Sequence, residues 1–132
     1  QLPLITFNLA VAQAAKSRLP AHEVCWIVDY RWEGFYTPTQ SVTKPSSRDV
    51  KSLPPKIDDL IKQAKAAGLD GLDLEAKFPI DAAFVQKIHA AGLKLYTWTV
   101  DDPAVARAFA AAGVDGLTTN RPGWMRGQLG SL

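Results

Sequence analysis

The sequence predicts an α/β fold in which about five parallel strands alternate with helices. Two observations point to it. Three stretches, Lys62 to Leu72, Gln86 to Leu95 and Arg107 to Leu117, share one plan: an Ala-rich helix, a glycine, then a short apolar strand. The glycines of that plan, Gly68, Gly92 and Gly113, recur at roughly twenty residues, the length of one helix and one strand with short loops. Strands separated by helices run in the same direction, because each helix carries the chain back across the sheet.

Taken in order, the elements have local reasons. Leu4-Ile5-Thr6-Phe7 reads as a strand over 4–7, reached with almost no lead-in. Asn8 precedes Leu9-Ala10-Val11-Ala12 and can cap that helix with its side-chain oxygen. Val24-Cys25-Trp26-Ile27-Val28 is an apolar run for a buried strand over 24–29. Pro54-Pro55 opens a helix whose apolar stripe is Ile57, Leu60, Ile61 and Ala64. Strands follow over 70–75, 94–100 and 115–119. Asp81 is placed to cap the helix beginning Ala82-Ala83-Phe84-Val85. Asp102 stands before Pro103, the residue favoured at the first helical position. Asn120 precedes Arg121-Pro122-Gly123-Trp124, a further helix start. Each repeat glycine is expected in the left-handed region that ends a helix. The segment 31–53, rich in Ser, Thr, Pro and aromatics, reads as a long loop; in a barrel it lies on the C-terminal face, where active sites sit.

The 132 residues suit a single domain, 1–132. Apolar residues make up 47% and charged residues 21%, the balance of a soluble globular chain, and no apolar stretch is long enough to span a membrane. The net charge of +2, with no basic cluster interleaved with aromatics, argues against nucleic acid as a partner. Cys25 stands alone, so no internal disulfide forms. The chain starts at Gln1 and its one methionine is Met125, which leads us to expect a longer parent or a removed N-terminal segment.

The C-terminal third carries a resemblance. Gly92-Leu93-Lys94-Leu95-Tyr96-Thr97-Trp98-Thr99-Val100-Asp101-Asp102-Pro103, followed by Gly113-Val114-Asp115-Gly116-Leu117-Thr118-Thr119-Asn120-Arg121-Pro122, resembles the closing segment of glycerophosphodiester phosphodiesterases. Ile5-Thr6-Phe7-Asn8 is similar to that family's Ser-Phe strand, with Thr for Ser, and Arg18-Leu19-Pro20 fits the proline after its next helix. The resemblance implies a partial (β/α)8 TIM-type barrel, with this chain as strands four to eight. It also implies hydrolysis of a small-molecule phosphodiester to an alcohol and glycerol 3-phosphate, with a divalent cation, Ca2+ or Mg2+, in the complete enzyme. The family's His-Arg-Gly, Glu-x-Asp and second His motifs belong to the first strands and have no match here, so no metal or cofactor is expected on this chain itself. Leu74-Glu75-Ala76-Lys77 has the pattern of the family's Glu-x-Lys but stands too late in the order of strands.

Candidate site residues follow. The resemblance places Trp98 at the barrel mouth as a wall for the glycerol or head group; as part of an alternating strand it could equally belong to the core. Phe7, at its strand end, has the same two readings. Arg121, beside a helix start, could hold a phosphate or tie down the C-terminal segment. Asp29, at the end of the second strand, could orient a base or bind a polyol. Glu75 and Lys77 complete the set of catalytic candidates; with Asp29 and Asp101 they could support another weak hydrolytic activity. Neither His22 nor His89 falls at the C-terminal end of a strand, so a serine–histidine–acid triad is not expected. Five strands do not close a barrel, and two sheet edges stay open. The expected partner is a second copy, in a homo-oligomer whose interface includes the inward faces or edges of the strands near 4–7 and 115–119, or a complementing N-terminal half; the inward residues are expected to include Ile5, Phe7, Ile27, Leu74 and Trp98. A self-associating half-barrel without catalysis is the alternative reading.

Overall fold

The computed structural model describes residues 2–30 and 55–130; the loop expected at 31–53 lies outside the described residues. Among the described residues, five strands and five helices alternate: β1 (Leu4–Thr6), α1 (Leu9–Arg18), β2 (Val24–Val28), α2 (Ile57–Ala66), β3 (Gly71–Glu75), α3 (Ala82–Ala90), β4 (Lys94–Trp98), α4 (Pro103–Ala112), β5 (Gly116–Leu117) and α5 (Pro122–Leu129). The strands form one sheet in chain order, all parallel, so every C-terminal strand end lies on the same side. Each strand is shorter than its sequence suggests, most of all β5. The ladder nonetheless continues past the strand ends, with Val100 N–H donating to Thr118 C=O at 2.8 Å.

The caps match local expectation. The Asn8 side chain accepts from Val11 N–H, that of Asp81 from Phe84 N–H, and that of Asp102 from Ala104 N–H. Gly68, Gly92 and Gly113 have φ of 72°, 78° and 100°, the left-handed turn that closes α2, α3 and α4. Asn120 does not cap α5. Arg121 occupies that position without a side-chain bond, and Asn120 turns to Asp101 instead.

The main core lies between the sheet and its helices. Val24, Val28, Leu72, Leu74 and Leu95 pack with Leu60, Ala64, Val85 and Ile88. A second cluster, Val100, Ala106, Phe109 and Met125, joins α4 and α5. Leu74 is fully buried in the helix-facing core. This corrects the expectation that it faces inward. Register settles the matter: Glu75 pairs with Trp98, and alternation puts Leu74 on the opposite face from both.

Candidate functional site

The face of the sheet turned away from the helices is concave. Phe7 follows β1 and Trp98 ends β4, two strands separated by β2 and β3. In a flat sheet with strands about 4.8 Å apart, they would stand about 14 Å from each other. Their rings instead meet edge to face, with centroids 5.8 Å apart and planes at 86°. The sheet therefore curls as part of a barrel wall does, and these two aromatics form a corner at its C-terminal mouth. Both are held. Trp98 Nε1–H donates to the Asp73 carbonyl at 3.2 Å, and Trp26 Nε1–H donates to the Phe7 carbonyl at 3.0 Å. Beside the corner lies an open cavity of about 470 Å³ lined by Ile5, Thr6, Phe7, Asn8 and Ile27.

Glu75 stands at the end of β3, next to Trp98 in register. Its carboxylate is mostly covered, accepts from Tyr30 N–H at 2.9 Å and pairs with the exposed Lys77 ammonium at 3.2 Å. The structure thus joins Glu75 and Lys77. Asp29, half-buried just after β2, lies on the same side of the sheet as Glu75. Arg121 keeps to its own corner, its guanidinium 4.1 Å from the centre of the Trp124 ring. The loop that carries it is tied down by Asp101, which accepts from Thr119 Oγ1 at 2.8 Å, Asn120 N–H at 2.9 Å and Asn120 Nδ2 at 2.8 Å. Those bonds, the main-chain one first, hold the Asp101 carboxyl below the usual carboxylate range.

Sequence reasoning missed Asp73. It is paired in register with Ile27 and Tyr96, only 4% exposed, and its Oδ1 has no partner among the described residues. Burial pushes its carboxyl up to about 6. The alternation Gly71-Leu72-Asp73-Leu74-Glu75 was the available signal: a two-residue period puts both acids on one face. At the opposite end of the sheet, Glu23 reaches across β3 to Tyr96 at 2.5 Å and Lys94 at 2.9 Å. On β3, a Cβ at Gly71 would stand 2.8 Å from the Lys94 main-chain oxygen, so the backbones of β3 and β4 come close there.

Among the described residues, no three His, Cys, Asp or Glu side chains gather as a metal site requires, and both oxygens of Glu75 are already engaged. The site residues present do not fit the cation that the resemblance implies. No described helix is long and apolar enough to cross a membrane.

A model of the glycerophosphoryl diester phosphodiesterase family matches residues 5–124. Among solved structures, the chain is similar to an Oleispira antarctica phosphodiesterase in complex with the product sn-glycerol-3-phosphate. That match has a TM-score of 0.68 and 21% identity, over 99% of this chain and 43% of that one. A glycerophosphodiester phosphodiesterase from Parabacteroides distasonis gives a TM-score of 0.64 at 21% identity, over 96% and 42% of the two chains. One from Thermotoga maritima gives 0.52 at 13%, over 87% and 41%. The chain spans about two fifths of the length of the solved structures it matches. No curated protein matches the sequence significantly.

Proposed function

The chain belongs to the glycerophosphoryl diester phosphodiesterase family, and from that premise we propose that it is the substrate-shaping part of a phosphodiester-hydrolysing barrel. The Phe7–Trp98 corner at the C-terminal mouth carries the reading. A rigid apolar corner excludes water and orients the glycerol or head group of a phosphodiester, while Arg121 offers its guanidinium to the phosphate. Lys77, neutralised in part by Glu75, is a second cation at the mouth. Glu75 and Asp29 are further polar groups at the strand ends. Attack on phosphorus, with its divalent cation and histidine acid–base groups, falls to the part of the barrel beyond these strands.

The open edge supports association as part of the same reading. Leu2, Ile5 and Phe7 are 87%, 48% and 60% exposed in and beside β1, whose ladder is paired on one side only among the described residues. Strands of a complementing half, or of a second copy, would cover them.

Two measurements test the proposal. Titration with sn-glycerol 3-phosphate should show binding by the chain that Trp98→Ala abolishes; equal binding by both proteins refutes the wall. Glycerophosphocholine with added Ca2+ or Mg2+ should show no turnover by the chain alone. Turnover that a chelator stops would place catalysis on these strands after all.

A further inference from the structure

The exposed carboxylate of Asp101 makes no contact with the Phe7–Trp98 corner that is visible in its bonds, yet it spends both oxygens on one loop. Thr119 is the hub of that loop. Its Oγ1 donates to Asp101 at 2.8 Å and accepts from Arg121 N–H at 3.2 Å, so a chain of two hydrogen bonds runs from Asp101 to the Arg121 main chain. Asn120 is held twice, through its N–H and its Nδ2. Just before this loop, Val100 N–H bonds Thr118 C=O and Thr118 N–H bonds Thr97 C=O, both at 2.8 Å. The segment that follows Trp98 out of β4 is thereby stapled to the segment that runs from β5 to Arg121. Asp101 caps no helix, since Asp102 does that for α4, and it contributes nothing to the apolar clusters. Two of its bonds hold Asn120, the residue before Arg121, and the third reaches the Arg121 main chain through Thr119.

We propose that Asp101 is a positioning residue: through Thr119 and Asn120 it fixes the β5 loop so that Arg121 meets the phosphate of a ligand seated against Trp98. The inference rests on the reading of Trp98 and Arg121 as ligand-binding groups. It adds that their relative placement is set within this chain, by one carboxylate, before any other part of a barrel contributes. The low protonation range of Asp101 agrees, because the anion is the form that accepts all three bonds.

The test is a set of variants titrated with sn-glycerol 3-phosphate by calorimetry, with melting temperatures recorded alongside. Arg121→Ala should weaken binding about tenfold or more, the value of a hydrogen bond to a charged group. Asp101→Ala should weaken it about fivefold or more. In the Arg121→Ala background the same change should cost nothing, since the residue it positions is gone. The exchange Asp101→Asn with Asn120→Asp keeps one donor and one acceptor facing each other and should restore most of the affinity. If Asp101→Ala binds as the wild type does while Trp98→Ala and Arg121→Ala lose binding, the positioning role is overturned and the proposed function stands. Equal, additive losses from Asp101→Ala and Arg121→Ala also overturn it. If the wild type does not bind, or Trp98→Ala and Arg121→Ala bind as it does, the functional reading itself fails and the positioning role falls with it.

Discussion

Replacing Asp73 by Asn should stabilise the protein at neutral pH and leave it unchanged in acid. The folded chain holds this carboxyl at about 6 against an ordinary 3.8, because burial penalises the anion. Between those values the unfolded chain has released the proton and the folded chain still binds it, so stability falls as pH rises through the window. The gap is worth about 3 kcal/mol in full, at about 1.36 kcal/mol for each pH unit. Water reaching the carboxylate reduces that figure, and the amide brings its own unsatisfied donors. We therefore expect a difference of about 1–3 kcal/mol between the effects of the substitution at pH ~7.5 and pH ~4. Urea melts of both proteins at the two pH values measure it. Glu23 and Asp101, whose carboxyls are lowered by their partners, push stability the opposite way as pH falls, but they are common to both proteins and cancel. Parallel pH profiles for wild type and variant would refute the argument, and would mean that Asp73 finds a partner in solution.

Glycine replacements should separate strain from collision. Gly68→Ala and Gly113→Ala meet open space or a 3.6 Å contact, so each should cost about 1 kcal/mol from positive φ alone, read as a lower melting temperature. Gly71→Ala should cost clearly more, because its Cβ would stand 2.8 Å from a main-chain oxygen of the central ladder; a cost no greater than that of Gly68→Ala would show that the ladder yields. Sedimentation equilibrium of the chain alone at micromolar concentration should find a dimer or larger assembly, and Phe7→Asp should weaken it. A cooperative monomer would overturn the association.

The local layer of this structure was legible early. Asn8, Asp81 and Asp102 cap because a short side-chain oxygen reaches the first free N–H groups whatever lies elsewhere in the fold. Gly68, Gly92 and Gly113 end their helices because only a residue without Cβ turns left there cheaply. The alternation of helix and strand then leaves parallel pairing as the one economical connection, and the closing motif around Trp98 and Asn120 carries the family.

Partners across the sheet were beyond that reach. Leu74 was misplaced because alternation says that successive residues face opposite ways but not which way is inward; the pairing of Glu75 with Trp98 decides it. Asn120 had the form of a cap, yet the nearby Asp101 competes for it and wins with two bonds, to its N–H and its Nδ2. Asp73 is an ordinary acid in the sequence, and its burial follows only from being set between Ile27 and Tyr96 on neighbouring strands. The sequence by itself determined which segments are helix and strand, where each helix stops and to which family the chain belongs, since these depend on neighbours along the chain. The Phe7–Trp98 corner, the bridge from Glu23 to Tyr96 and Lys94, and the Oδ1 of Asp73 that finds no partner among the described residues were decided by the tertiary structure, because the curvature of a twisted parallel sheet brings together side chains whose strands are not adjacent.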